Sequence, residues 1–91
     1  MEPKNKRTFS DVANEVFILW RKKYGNNKFP VSFIGAVPYL QAMLSCSTTD
    51  KDALYGCETL ETVVLYFLAN VTSWRGEDAK RIKAELKEMI K

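Results

Sequence analysis

Two apolar stripes of helical period, separated by Trp74-Arg75-Gly76, constrain this chain more than any other feature. Leu60, Val63, Val64, Phe67, Leu68, Val71 and Trp74 recur at steps of three and four residues, and Ala79, Ile82, Leu86, Met89 and Ile90 do the same downstream. Residues at such spacing share one face of an α-helix, so each segment has an apolar side that must be covered. Two such segments joined by a short break fold onto each other or onto a common core. The pattern predicts an all-α protein, a compact bundle of three to five helices, with a C-terminal helical hairpin hinged at Trp74-Arg75-Gly76.

The rest of the chain divides in the same manner. Residues 1–7 hold Glu2, Pro3, Lys4, Lys6 and Arg7 with no apolar residue after Met1, and read as a flexible basic tail. Residues 8–91 read as a single helical domain, because a chain of 91 residues has material for one core. Its 46% apolar content and 11 aromatic residues (five Phe, four Tyr, two Trp) are those of a folded chain.

Thr8 with Asp11 three residues on resembles a capping box, with Ser10 as the competing cap, and opens a first helix whose apolar face is Val12, Val16, Phe17, Leu19, Trp20 and Tyr24. Arg21, Lys22 and Lys23 fall in its last turn, where positive charge complements the helix dipole. Gly25 follows as the C-terminal cap, with Asn26-Asn27 as a loop. Pro30 and Pro38 interrupt the next apolar segment. Proline is tolerated in a first turn and costs about 3 kcal/mol or more inside a helix, which puts Pro38 near the start of a helix reaching about Cys46. Phe29 to Gly35 then reads as extended chain or one short helical turn. A strand there has no partner elsewhere in the chain. Asp50 is placed to cap a short helical turn ending at Tyr55-Gly56, and Glu58 or Thr59 starts the central helix. Ser73 is placed to cap the final one.

Composition excludes most chemistry. There is no histidine, so the commonest general base and the commonest metal ligand are both missing. Cys46 and Cys57 are too few for a zinc site or a disulfide framework, and read as small apolar residues at helix ends. No glycine-rich phosphate loop or triad-like set is visible, so the expectation is a protein that is not an enzyme and uses no cofactor or metal. Neither a signal-peptide core nor an apolar run near 20 residues is present, which points to the cytoplasm with reduced thiols and no membrane span.

Charge carries what functional signal there is. Residues 1–28 hold seven basic and three acidic groups, residues 29–74 one and four, and residues 75–91 six and four. On the final helix Lys80, Lys83, Lys87 and Lys91 form one flank, while Glu77, Arg81, Glu85 and Glu88 form the other, with Glu77 and Arg81 spaced as an ion pair. If the two basic ends meet in space, Lys4, Lys6, Arg7, Arg21, Lys22, Lys23 and Lys28 join the lysine flank in one patch. Candidate partner-binding residues are therefore Arg75, Lys80, Lys83, Lys87, Arg21, Lys22 and Lys23. The acidic first turn Glu77-Asp78 repels phosphates and argues against base reading by that helix. Trp74 reads as the residue that closes the core at the corner. Arg75 is open between scaffold and contact.

Tyr55-Gly56, Val63 to Asn70, Trp74-Arg75-Gly76, Ala79, Ile82-Lys83 and Glu85-Leu86-Lys87 resemble a block in small uncharacterised bacteriophage and prophage proteins. The resemblance implies provenance: a phage or mobile-element accessory protein in a bacterial host cytoplasm. It transfers no site residues. The function expected is binding of a host or phage protein, as adaptor or inhibitor. The alternative is nucleic-acid binding without sequence specificity, through the lysine-rich helix and the basic N-terminus. Self-association is compatible with so apolar a small chain.

Overall fold

The computed structural model describes residues 7–25 and 29–91. Residues 1–6 and the Asn26-Asn27 loop lie outside them. In chain order the elements are helix α1 (Phe9–Tyr24), the short helix α2 (Val31–Ile34), α3 (Val37–Leu44), strands β1 (Leu54–Tyr55) and β2 (Glu58–Thr59), α4 (Leu60–Ala69) and α5 (Glu77–Met89). The fold is mostly helical, with α1 packed against α3, α3 against α4, and α5 against α1.

Local chemistry sets most boundaries. Thr8 caps α1 with a full capping box: Asp11 N donates to Thr8 Oγ1 at 3.1 Å and Thr8 N to Asp11 Oδ2 at 2.9 Å. The next two amides of that turn donate to the loop after α3, Phe9 N to Thr48 O at 2.9 Å and Ser10 N to Cys46 O at 3.1 Å. The first turn, which has no intrahelical acceptors, is thus satisfied by the chain lying across it. Gly25 ends α1 with φ +87°, a conformation that suits glycine. Pro38 falls within the first two residues of α3, where its missing N–H is not needed. Thr59 caps α4, accepting from Thr62 N at 3.3 Å.

Several expectations change. The segment 50–59 is an antiparallel hairpin, not a helical turn: Leu54 pairs with Thr59 and Tyr55 with Glu58 around the two-residue turn Gly56-Cys57. Gly56 has φ +67°, which a tight hairpin turn requires and a helix does not. Asp50 caps a β-turn instead, its Oδ1 accepting from Asp52 N at 2.9 Å. Cys57 is therefore an exposed turn residue, while Cys46 follows α3 and donates its thiol to Ala42 O at 3.2 Å.

The break before α5 is longer than the hinge Trp74-Arg75-Gly76. Helix α4 stops at Ala69, where Asn70 turns its side-chain amide back to Tyr66 O at 2.8 Å and competes for the helix-end carbonyls. Val71 and Trp74 keep their three-residue spacing because Trp74 N closes a turn onto Val71 O. Both stay buried, at 0% and 5% exposure. The cap of α5 is Gly76, with φ +114° and no side-chain hydrogen bond, so Ser73 does not cap it. Nor do α4 and α5 form a close hairpin, since the partner of α5 is α1.

The core is organised around Trp20. Its ring lies 4.9 Å from Phe33 and 6.4 Å from Phe67 in stacked pairs, and meets Phe29 and Trp74 edge-on at 5.4 Å each. Helices α1, α2 and α4 and the segments that precede α2 and α5 thereby share one aromatic cluster. The indole Nε1 is buried without a hydrogen-bond partner. Such an orphaned donor costs about 1–3 kcal/mol, which the area of five packed rings offsets.

Arg7 is joined to the fold. It makes a bidentate pair with Glu85 of α5, Nε to Oε2 at 3.0 Å, and reaches Glu15 of α1 at 2.6 Å. Arg81 pairs with Glu15 at 2.6 Å and with Asp78 at 3.2 Å, rather than with Glu77. Glu15 on the adjacent helix is held in place by Arg7 and so offers Arg81 a fixed acceptor beside Asp78. Hydrogen bonding to Arg81, and then to Arg7, holds the Glu15 carboxyl below the usual glutamate range despite partial burial.

Two predictions come from this packing. Trp20→Ala should lower unfolding free energy by about 3–5 kcal/mol, whereas Trp20→Phe, which also removes the unpaired donor, should cost under about 2 kcal/mol; urea denaturation compares them. Because the folded-state pKa of Glu15 is depressed, its stabilisation is present above the ordinary glutamate value of about 4.3 and lost as pH falls through the lower folded value. Glu15→Gln should accordingly flatten the acid limb of Tm against pH, relative to the native chain.

Candidate functional site

The inward position of Trp20 divides the last turns of α1 between two surface features. At 100° per residue, Phe17 and Arg21 fall on one side of Trp20, and Leu19 and Lys23 on the other.

The first feature is a cleft of about 450 Å³ at the corner before α5, lined by Leu19, Trp20, Lys22 and Lys23 of α1 and by Trp74 to Asp78. Lys83 reaches back to this corner and donates to Trp74 O at 2.7 Å. Its ammonium is pushed below the usual lysine range, first by desolvation and then by repulsion from Arg75 and Lys87. Basic groups from both ends of the sequence therefore meet here. Glu77 and Asp78 share the same rim, so the cleft is mixed in sign.

The lysine flank of α5 is not one free row. Lys83 is turned to the corner, Lys91 pairs with Glu88 at 2.9 Å, and Lys80 and Lys87 are exposed. Lys4, Lys6 and Lys28 lie outside the described residues.

Arg21 belongs to the second feature. Its guanidinium lies over the Phe17 ring, 5.1 Å from the centroid, at the edge of an open groove of about 820 Å³ between α1 and α3. Phe29, Ile34, Val37, Pro38, Gln41 and Leu44 complete the lining. Arg21 has no carboxylate partner among the described residues. Within that lining Ile34 is 51% exposed, and Val31, three residues before it on α2, is 89% exposed.

None of the groove's apolar residues was a candidate from the sequence, although a signal for them was present. From Phe29 to Thr49 the chain carries no charged residue, yet Val31, Ser32, Ile34, Gly35, Pro38 and Gln41 are exposed. A solvated surface rarely goes so long without charge, and depletion of charge marks the centre of interfaces.

Among the described residues, no three His, Cys, Asp or Glu side chains are grouped so as to hold a metal ion, and no helix is long and apolar enough to cross a membrane. No family model, curated protein or solved structure matches the chain.

Arg75 is exposed beside the buried Trp74 and forms no ion pair among the described residues. Arg75→Ala is expected to change unfolding free energy by less than about 0.5 kcal/mol. Thermal melting checks this: a larger loss would make Arg75 scaffold rather than available surface.

Proposed function

We propose that the chain is a small accessory protein of a bacteriophage or mobile element. It acts by binding a host or phage protein in the bacterial cytoplasm, as an adaptor or inhibitor, and performs no catalysis. The observation that carries the reading is the uncharged face of α2 and α3 with its groove beside Arg21. Covering a fully exposed Val or Ile side chain is worth about 1.5–3 kcal/mol, so Val31, and to about half that extent Ile34, are sources of binding energy left unused in the free protein. Arg21, stacked on Phe17, adds the residue type most favoured at hot spots and leaves its donors free for a partner carboxylate.

A second reading is nucleic-acid binding without sequence specificity. The meeting of Lys22, Lys23 and Arg75 at one cleft, with Lys83 and Lys87 beside it, favours it. The acidic pair Glu77-Asp78 on the same rim weighs against it.

Two sets of substitutions separate the readings. Affinity capture from host lysate should lose its specific protein with Ile34→Glu, at unchanged melting, and keep it with Lys22→Ala, Lys23→Ala and Arg75→Ala combined. Capture indifferent to Ile34→Glu removes the support for the groove. Under the second reading the triple variant alone should fail on random duplex DNA, with binding that weakens steeply between low and physiological salt. The expected outcome is no DNA binding even at low salt.

A further inference from the structure

We propose that the groove between α1 and α3 also receives a second copy of this chain, entering with the outer face of its α4, so that copies associate head to tail. The proposal rests on the docking surface described above and names an occupant for it.

A second exposed apolar patch provides the other half of the contact. Leu65 and Tyr66 on the outer face of α4 are 50% and 45% exposed, and Leu54 and Tyr55 on the hairpin just before it 68% and 47%. The two patches are opposite in charge. Arg21 is the charged residue at the groove's edge, whereas Lys22 and Lys23 belong to the corner cleft. The α4 patch follows a segment bearing Asp50, Asp52, Glu58 and Glu61, with Lys51 the one base between residues 29 and 74. Lys51 is itself engaged with Asp52 at 3.3 Å and Glu61 at 3.9 Å, which leaves the segment net acidic.

The patches also lie on opposite sides of α3. Val37, Gln41 and Leu44 face the groove, whereas Tyr39 points toward α4, its ring 5.3 Å from that of Tyr66. At 100° per residue, Tyr39 is about 160° around the helix from Val37. One copy therefore cannot fill its own groove with its own α4. Pairing groove with groove would oppose two Arg21 guanidinium groups, and pairing α4 with α4 would oppose two acidic segments; like charges face to face disfavour both. Groove with α4 is the pairing in which apolar area and charge agree. It is a heterologous contact, which extends into a chain or closes into a ring.

Sedimentation velocity of the full chain tests this. The weight-average mass should rise with protein concentration and fall as salt is added. Ile34→Glu, which blocks the groove, and Leu65→Glu, which blocks the α4 face, should each be monomeric while melting normally. Mixed one to one they should form a dimer and nothing larger, because the mixture retains one intact groove and one intact α4 face. If Ile34→Glu does not fold, Arg21→Glu takes its place and should weaken association about tenfold, the effect of one lost anchor. A native chain that is monomeric at every concentration, or a mixture that stays monomeric, overturns the proposal. A monomeric native chain whose captured protein is still lost with Ile34→Glu overturns self-association and leaves the docking surface standing. Assembly and capture that both ignore Ile34→Glu overturn both.

Discussion

The aromatic cluster around Trp20 is the contact on which the rest of the structure depends. Phe29, Phe33, Phe67 and Trp74 come from four different segments, and each meets the same indole. With so few residues available, one large side chain at the centre does what several aliphatic layers do in a larger protein. It also places the surface features. Once Trp20 points inward, Arg21 must face the groove and Lys23 the corner, so three consecutive basic residues do not act as one patch. The separation of two candidate interfaces is a consequence of core packing.

Helix α5 depends on that core less directly. Its buried residues are Ala79, Ile82 and Leu86, fewer and smaller than those α1 contributes. Its remaining attachment to α1 is ionic, through Arg7, Glu15, Arg81 and Glu85. Partly exposed pairs are individually weak, but a guanidinium that bridges two helices restricts both partners at once. That attachment is therefore sensitive to pH and salt, which act on those ion pairs.

The parts legible in the sequence were those governed by short-range chemistry. Thr8 with Asp11, Pro38 within a first turn, Gly25 after a basic turn and Thr59 before an apolar run each state a boundary within four residues. The parts that were not legible depended on distant groups. Two-residue strands are too short to show alternation, and only the positive φ of Gly56 separates their turn from a helical one. The stripe from Leu60 to Trp74 looked continuous because a turn and a helix share the three-residue step. Only the side chain of Asn70 shows where one becomes the other. Arg7 looked like the end of a tail because both of its carboxylate partners are remote or on the far side of a turn. Of the candidate site, the sequence shows the basic residues but not their division between two separate features, since that depends on which way Trp20 points.

The absence of charge from Phe29 to Thr49 can be weighed against the alternatives. If α2 and α3 were built only to cover the core, their outward positions would be free to carry Lys or Glu, which cost nothing in packing and improve solubility. Val31, Ile34, Pro38 and Gln41 occupy those positions instead. The core does not need them, because Phe33, Ala36, Leu40, Ala42 and Met43 already fill the inward side. Exposed apolar residues beside an open groove, with an unpaired arginine at its edge, are the residues that a covering surface would require and a solvated one would not.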